Sequence, residues 1–131
     1  MFDEFDVIHS YTRAQALADG VLVDVTETSK KFGFRIPIAL TAVVWIGCCE
    51  WTDYDEARKP CGQDMKGRLW DVLTMAAQAA KRTDGPLAPF SVLRIPRSGE
   101  RMTPEKVDLI LHIGAGDAGE PVCTIMEPGE D

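Results

Sequence analysis

A chain of 131 residues with 45% hydrophobic and 27% charged residues has the size of one domain, 1–131, with apolar side chains enough for a single core and too little length for two. Its formal charge of −7 opposes direct binding to a nucleic-acid backbone, which calls for a cationic face. The longest apolar stretch, Ile36 to Cys49, is broken by Pro37, Thr41 and Gly47 and falls short of the roughly 20 residues of a membrane-spanning helix.

In chain order, the acidic start MFDEFD has neither the positive nor the apolar region of a secretory signal, so a cytoplasmic protein is expected. SYTRAQALADG reads as a short helix, with Ser10 or Thr12 as its N-terminal cap and Gly20 as its stop. VLVDV is a short strand or an extended linker, and TETSKKFG is a second short helix, capped by Thr26 and ended by Gly33. The run from about 38 to 51, IALTAVVWIGCCEW, is expected to be a helix after Pro37, although its β-branched residues would also suit a strand. TDYDEARKPCGQD, 52–64, is polar and holds Pro60 and Gly62, so it reads as a long loop. Asp64 then caps MKGRLWDVLTMAAQAAKR, in which Leu69, Leu73, Ala76 and Ala80 form one apolar stripe.

FSVLRI, VDLILHI and PVCTIM follow as three β-rich runs separated by turn residues. Connections this short imply antiparallel neighbours. The expected fold is α+β, with N-terminal helices packed on a C-terminal antiparallel sheet of about three strands. Between the last two strands lies GAGDAG, 114–119, which spells a dinucleotide-binding loop. Such a loop needs a following helix to hold the pyrophosphate, and here Glu120, Pro121 and a strand follow instead. A hairpin connection, with Gly114, Gly116 and Gly119 free to take positive φ, is the better reading.

Catalytic chemistry finds no support, and no cofactor is called for. Cys48 and Cys49 are adjacent, Cys61 and Cys123 stand alone, and His9 and His112 are the two histidines. These spacings lack the paired ligands of a zinc site, so no metal is expected and the thiols are expected to be reduced. Cys61 follows Lys59 in a polar segment, but no local signature supplies a base for it. Trp45 and Trp70 read as core residues. Trp51, with Asp53, Tyr54, Asp55 and Glu56, is a candidate partner-binding surface, since aromatic and acidic groups on a loop provide the anchor and rim of an interface. Tyr11 and Arg13 form a second candidate, as arginine suits a carboxylate or phosphate.

The segments FDVIHSYTRAQALADGVLVDVTETSKKFGFRIPIALTAVVW, GRLWDVLTMAA and GAGDAGEPVCTIMEPGED resemble, in this order, a family of small uncharacterised proteins carried on bacterial plasmids, integrated elements and phages. The resemblance points to Tyr11, Thr12, Arg13, Asp19, Asp24, Trp45, Trp70, Asp71, Gly116, Asp117, Glu120 and Thr124 as motif positions, and to 52–64 as a variable part. It implies a setting rather than a reaction: small acidic proteins of mobile elements often look like inhibitors of host defence, including anti-CRISPR and anti-restriction proteins. Acid is concentrated at both ends, at Asp3, Glu4 and Asp6 and then at Glu120, Glu127, Glu130 and Asp131. The expectation is a non-enzymatic binding protein whose acidic groups meet a protein partner, such as a basic nucleic-acid-binding defence complex. The alternative is a small-ligand or nucleotide pocket, or a small enzyme, built from Tyr11, Arg13, Trp70, Asp71 and Asp117.

Overall fold

The computed structural model describes residues 11–130; Asp3, Glu4, Asp6, His9, Ser10 and Asp131, weighed above, lie outside this range. Thr12 opens α1 (Arg13–Ala18) through a capping box: its hydroxyl accepts from the Gln15 N–H while the Gln15 side chain accepts from the Thr12 N–H. Strand β1 (Leu22–Asp24) follows, then α2 (Thr26–Ser29), which tightens into a 3-10 turn, Lys30–Phe32. Gly33 closes that turn with φ 94°, the left-handed conformation that glycine adopts without steric cost.

The apolar run expected as one helix divides in two. Ile38–Thr41 is strand β2, and Thr41 then caps α3 (Ala42–Val44), which widens into a π-helical turn, Trp45–Cys49. β2 is buried on both of its faces, so no alternation of polar and apolar residues separates it from the helix. The segment expected as a loop holds α4 (Asp53–Arg58), built by a capping box of Thr52 and Asp55 with acidic side chains in its first turn. The eighteen residues of α5 (Met65–Arg82) start at the Asp64 cap, as expected, and bury Leu69, Val72, Leu73, Ala76 and Ala79.

Strands β3 (Leu87–Arg94), β4 (Glu105–Ala115) and β5 (Pro121–Met126) form the expected antiparallel meander. The sheet does not end there. β2 joins β5 in parallel and β1 joins β2 antiparallel, giving a five-stranded mixed sheet of order β1-β2-β5-β4-β3. The fold is α+β, with two strands contributed by the half expected as a helical layer: β1 falls in VLVDV, the segment left between strand and linker, and β2 in the run expected to be helix.

Register assigns the two faces. Ile38 pairs with Cys123, Leu40 and Leu111 both pair with Ile125, and Leu109 pairs with Phe90. These side chains share one face and form the core with Val44, Cys48 and the buried stripe of α5. Thr124, Asp24 and His112 alternate with them onto the second face, where α1 lies against β1 and Arg13 reaches Thr124.

Candidate functional site

Thr41 accepts from the Val44 N–H and starts a helix that lengthens its last turn, where the Glu50 N–H reaches the Trp45 carbonyl at 2.8 Å. The carbonyls at a helix C-terminus lack partners within the helix and carry partial negative charge. Three guanidinium groups meet them here. The Gly47 carbonyl accepts from Arg94 Nη1 at 2.5 Å and Arg68 Nη2 at 3.2 Å, and the Ile46 carbonyl accepts from Arg97 Nη1 at 3.0 Å. A Cβ at 47 would fall 2.7 Å from Arg94 Nη1, so a larger residue there displaces that guanidinium from this approach.

Arg68 comes from α5 and is 3% exposed. Its guanidinium lies over the Trp51 ring, 4.9 Å from the centroid, and donates to the Ile95 carbonyl. Burial lowers its pKa from the ordinary arginine value, and the nearby Arg94 and Arg97 charges act in the same direction. Arg94 faces Glu105 at 3.5 Å and Cys48 Sγ at 3.6 Å; Arg97 bridges Glu50 and Asp55. Burial pushes the Cys48 thiol up against the opposing pull of Arg94, and pushes Cys49 up to about 12, so neither is an activated nucleophile. All four cysteines are free.

Beside this cluster the segment after β3 wraps around Lys59. Lys59 is 2% exposed, and its ammonium donates to the carbonyls of Pro96, Ser98 and Arg101. Arg58 adds bonds to the carbonyls of Arg97 and Gly99. RIPRSGER is therefore held by the two basic residues that end α4.

The proposed partner surface at 51–56 is divided between inside and outside. Trp51 is buried, its Nε1–H donates to Glu56, and Asp55 is buried between Thr52 and Arg97. Burial by itself would raise the Asp55 pKa, but bonds from the Thr52 N–H and hydroxyl and from Arg97 hold its carboxyl below the ordinary range. Glu56 is likewise held low, by bonds from the Gly62 N–H and the Trp51 indole. Asp53 and Tyr54 are exposed, with Arg58 5.9 Å from the Tyr54 ring centroid. Trp70, expected in the core, is 45% exposed and meets Phe32 edge-on; Trp45 packs partly buried against the core.

Of the alternative pocket, Tyr11, Arg13 and Asp117 lie at α1. The Tyr11 hydroxyl donates to Asp19, and Arg13 Nη1 and Nη2 donate to Thr124 Oγ1 and the Cys123 carbonyl. Asp117 accepts from the N–H groups of Arg13 and Ala14 at 2.7 and 3.0 Å. The carboxylate from GAGDAG thus sits at the N-terminus of α1, where a phosphate would otherwise find its donors. Gly119, with φ 84°, carries the turn, while Gly114 and Gly116 do not have the positive φ expected of them. Trp70 and Asp71 lie on α5, across the sheet, so the five residues do not share one pocket.

The arginines and Lys59 are what sequence reading missed. A position such as Arg68, beside Leu69 on an amphipathic helix, carries no local mark of burial. Among the described residues no group of three or more His, Cys, Asp or Glu is placed to hold a metal ion, and no helix is long and apolar enough to cross a membrane. Neither a curated protein nor a solved structure matches this chain. The model of a family of unknown function, DUF6573, matches residues 1–131, and the chain belongs to that family.

Proposed function

We propose that this is a non-enzymatic binding protein that presents an acidic face to a basic protein partner, and that the face is formed by α1, β1 and the β4–β5 turn. What supports the reading is where opposite charges lie. Asp24, Asp117 and Glu120 are exposed and near one half-buried arginine, Arg13, with Asp19 at the end of the same helix. At the other end of the core Lys59 and Arg68 are buried, and Arg94 and Arg97 are turned onto backbone carbonyls and carboxylates. Among the described residues two cations, Lys59 and Arg68, are buried and only one acid, Asp55, so the exposed surface is slightly more negative than the formal charge of −7 conveys, which favours association with a cationic surface and steers it at long range.

The partner fitting the mobile-element setting suggested by the resemblance is a host defence nuclease or CRISPR complex, whose nucleic-acid channel is basic. Relative to the first expectation the contact moves from 51–56, where Asp55 and Glu56 are engaged inside the fold, to the opposite end. The test is capture of the partner from a bacterial host, then affinity at two salt concentrations and with two charge reversals. Affinity should fall at least about tenfold between roughly 50 and 500 mM salt. Glu120→Lys should weaken binding strongly and Asp53→Lys hardly at all. Salt-independent binding, or equal loss from both variants, rejects the reading.

A further inference from the structure

A groove of about 360 Å³ lies where α2 and its 3-10 turn meet the π-helical turn and the first two turns of α5. Val25 and Leu69, which line it, belong to the core, and Trp45 packs half-buried against that core. Trp70 and Met65 line it too and are each 45% exposed, with Trp70 edge-on to Phe32 at 4.6 Å between ring centroids. Two large apolar side chains left open beside a recess that reaches the core mark a binding surface rather than scattered exposure.

The charge of the groove is opposite to that of the molecule. Lys31 and Lys66 line it and are exposed, and neither has a carboxylate within 4.0 Å among the described residues, whereas the neighbouring Lys30 pairs with Glu27 at 2.7 Å. The one carboxylate in the lining, Asp24, accepts from the Thr26 N–H and hydroxyl through a single oxygen. Two uncommitted cations against one engaged carboxylate, in a chain whose formal charge is −7, make this groove a place that favours an anion. Lysine stems lie along apolar surface while their ammonium heads stay in water, so the anionic group belongs at the mouth and an apolar body inside. The volume falls in the range of small-molecule sites.

We infer that this groove binds a small planar aromatic anion, its rings packed against Trp45 and Trp70 and its charged group within reach of Lys31 and Lys66. Two indoles supply offset or edge-on ring contacts that an aliphatic body of the same charge cannot make. The two ammonium groups select against a neutral molecule of the same shape. The groove shares only Asp24 with the acidic face, and its test needs no protein partner, so either can fail without the other.

The test titrates the full chain at constant ionic strength with 2-naphthoate as probe, 2-naphthylmethanol as its neutral counterpart and hexanoate, which has the charge and no ring. By NMR, 2-naphthoate should shift the indole N–H resonances of Trp45 and Trp70 saturably and leave in place that of Trp51, which is bonded to Glu56. 2-Naphthylmethanol should bind at least about fivefold more weakly and hexanoate at least about tenfold. Lys31→Gln together with Lys66→Gln changes two exposed side chains, so the fold should be kept and 2-naphthoate brought down to the level of 2-naphthylmethanol. Lys30→Gln, outside the groove, should change its affinity by less than about twofold. Trp70→Leu should weaken both naphthalene ligands and leave hexanoate unchanged. Equal binding of 2-naphthoate and 2-naphthylmethanol, a loss from Lys30→Gln as large as from the double variant, equal shifts at all three indoles, or no saturable shift at any of them would overturn the inference.

Discussion

Replacing Lys59 by methionine keeps the length of the side chain and removes its charge and its donors. In the native fold the ammonium donates to three carbonyls, at 2.5, 2.9 and 2.8 Å, with 2% of the residue exposed and no carboxylate within 4.0 Å among the described residues. Hydrogen bonds to a charged group contribute about 1.5–3 kcal/mol each, roughly 4.5–9 kcal/mol together. Two effects offset this. Burying an ammonium costs several kcal/mol, a cost the variant lacks. Ser98 and Arg101 are exposed residues, so their carbonyls regain water when the ammonium is gone.

The net destabilisation is therefore about 2–4 kcal/mol, most of it from loosening residues 95–104. With a urea m-value of about 1.5 kcal/mol/M, the unfolding midpoint should fall by roughly 1.3–2.7 M. Amide exchange should accelerate at 95–104 well before it does in α5. A midpoint within about 0.3 M of the parent, at unchanged m, would refute the reasoning: the ammonium would then be no better placed inside the fold than in water.

Two further outcomes follow from the same geometry. Asp117→Ala removes the carboxylate at the N-terminus of α1; it should cost about 1 kcal/mol, as loss of a helix cap does, and show as faster exchange at the first turn of α1 with β4 and β5 unaffected. Asp55 has a folded pKa below its ordinary 3.8, so its contribution to stability is fully present above 3.8 and is lost as pH falls through the lower, folded value. An acid titration of stability should therefore steepen below pH 3.8 in the parent and flatten in Asp55→Asn; an identical slope in both would show that the pairing with Arg97 and Thr52 does not form in solution.

Much of this molecule is legible in the order of its residues. The Thr12 and Asp64 caps, the apolar stripe of α5 and the alternation along β4 are local patterns, the last two with periods of 3.6 and 2. So is the hairpin nature of GAGDAG, because a phosphate loop needs a helix after it and the sequence supplies a strand. Thr52 and Asp55 mark α4 in the same local way, but Pro60 and Gly62 give the whole of 52–64 the composition of a loop.

What tertiary structure decided is which groups are inside and what they meet there. The four residues of β2 look like the start of the helix that follows them, and they form a strand because β5, more than eighty residues later in the chain, supplies a parallel partner. Trp51 and Trp70 exchange their expected places, since an aromatic ring is equally at ease over Arg68 or against Phe32 at the surface. Nothing local in the sequence marks Arg68, Arg94 and Lys59 as groups that turn inward. Arg68 and Lys59 are buried, and Arg94 partly so, because a helix end and a loop present their carbonyls to them, and hydrogen bonds between elements far apart in the chain leave no periodic trace in the sequence.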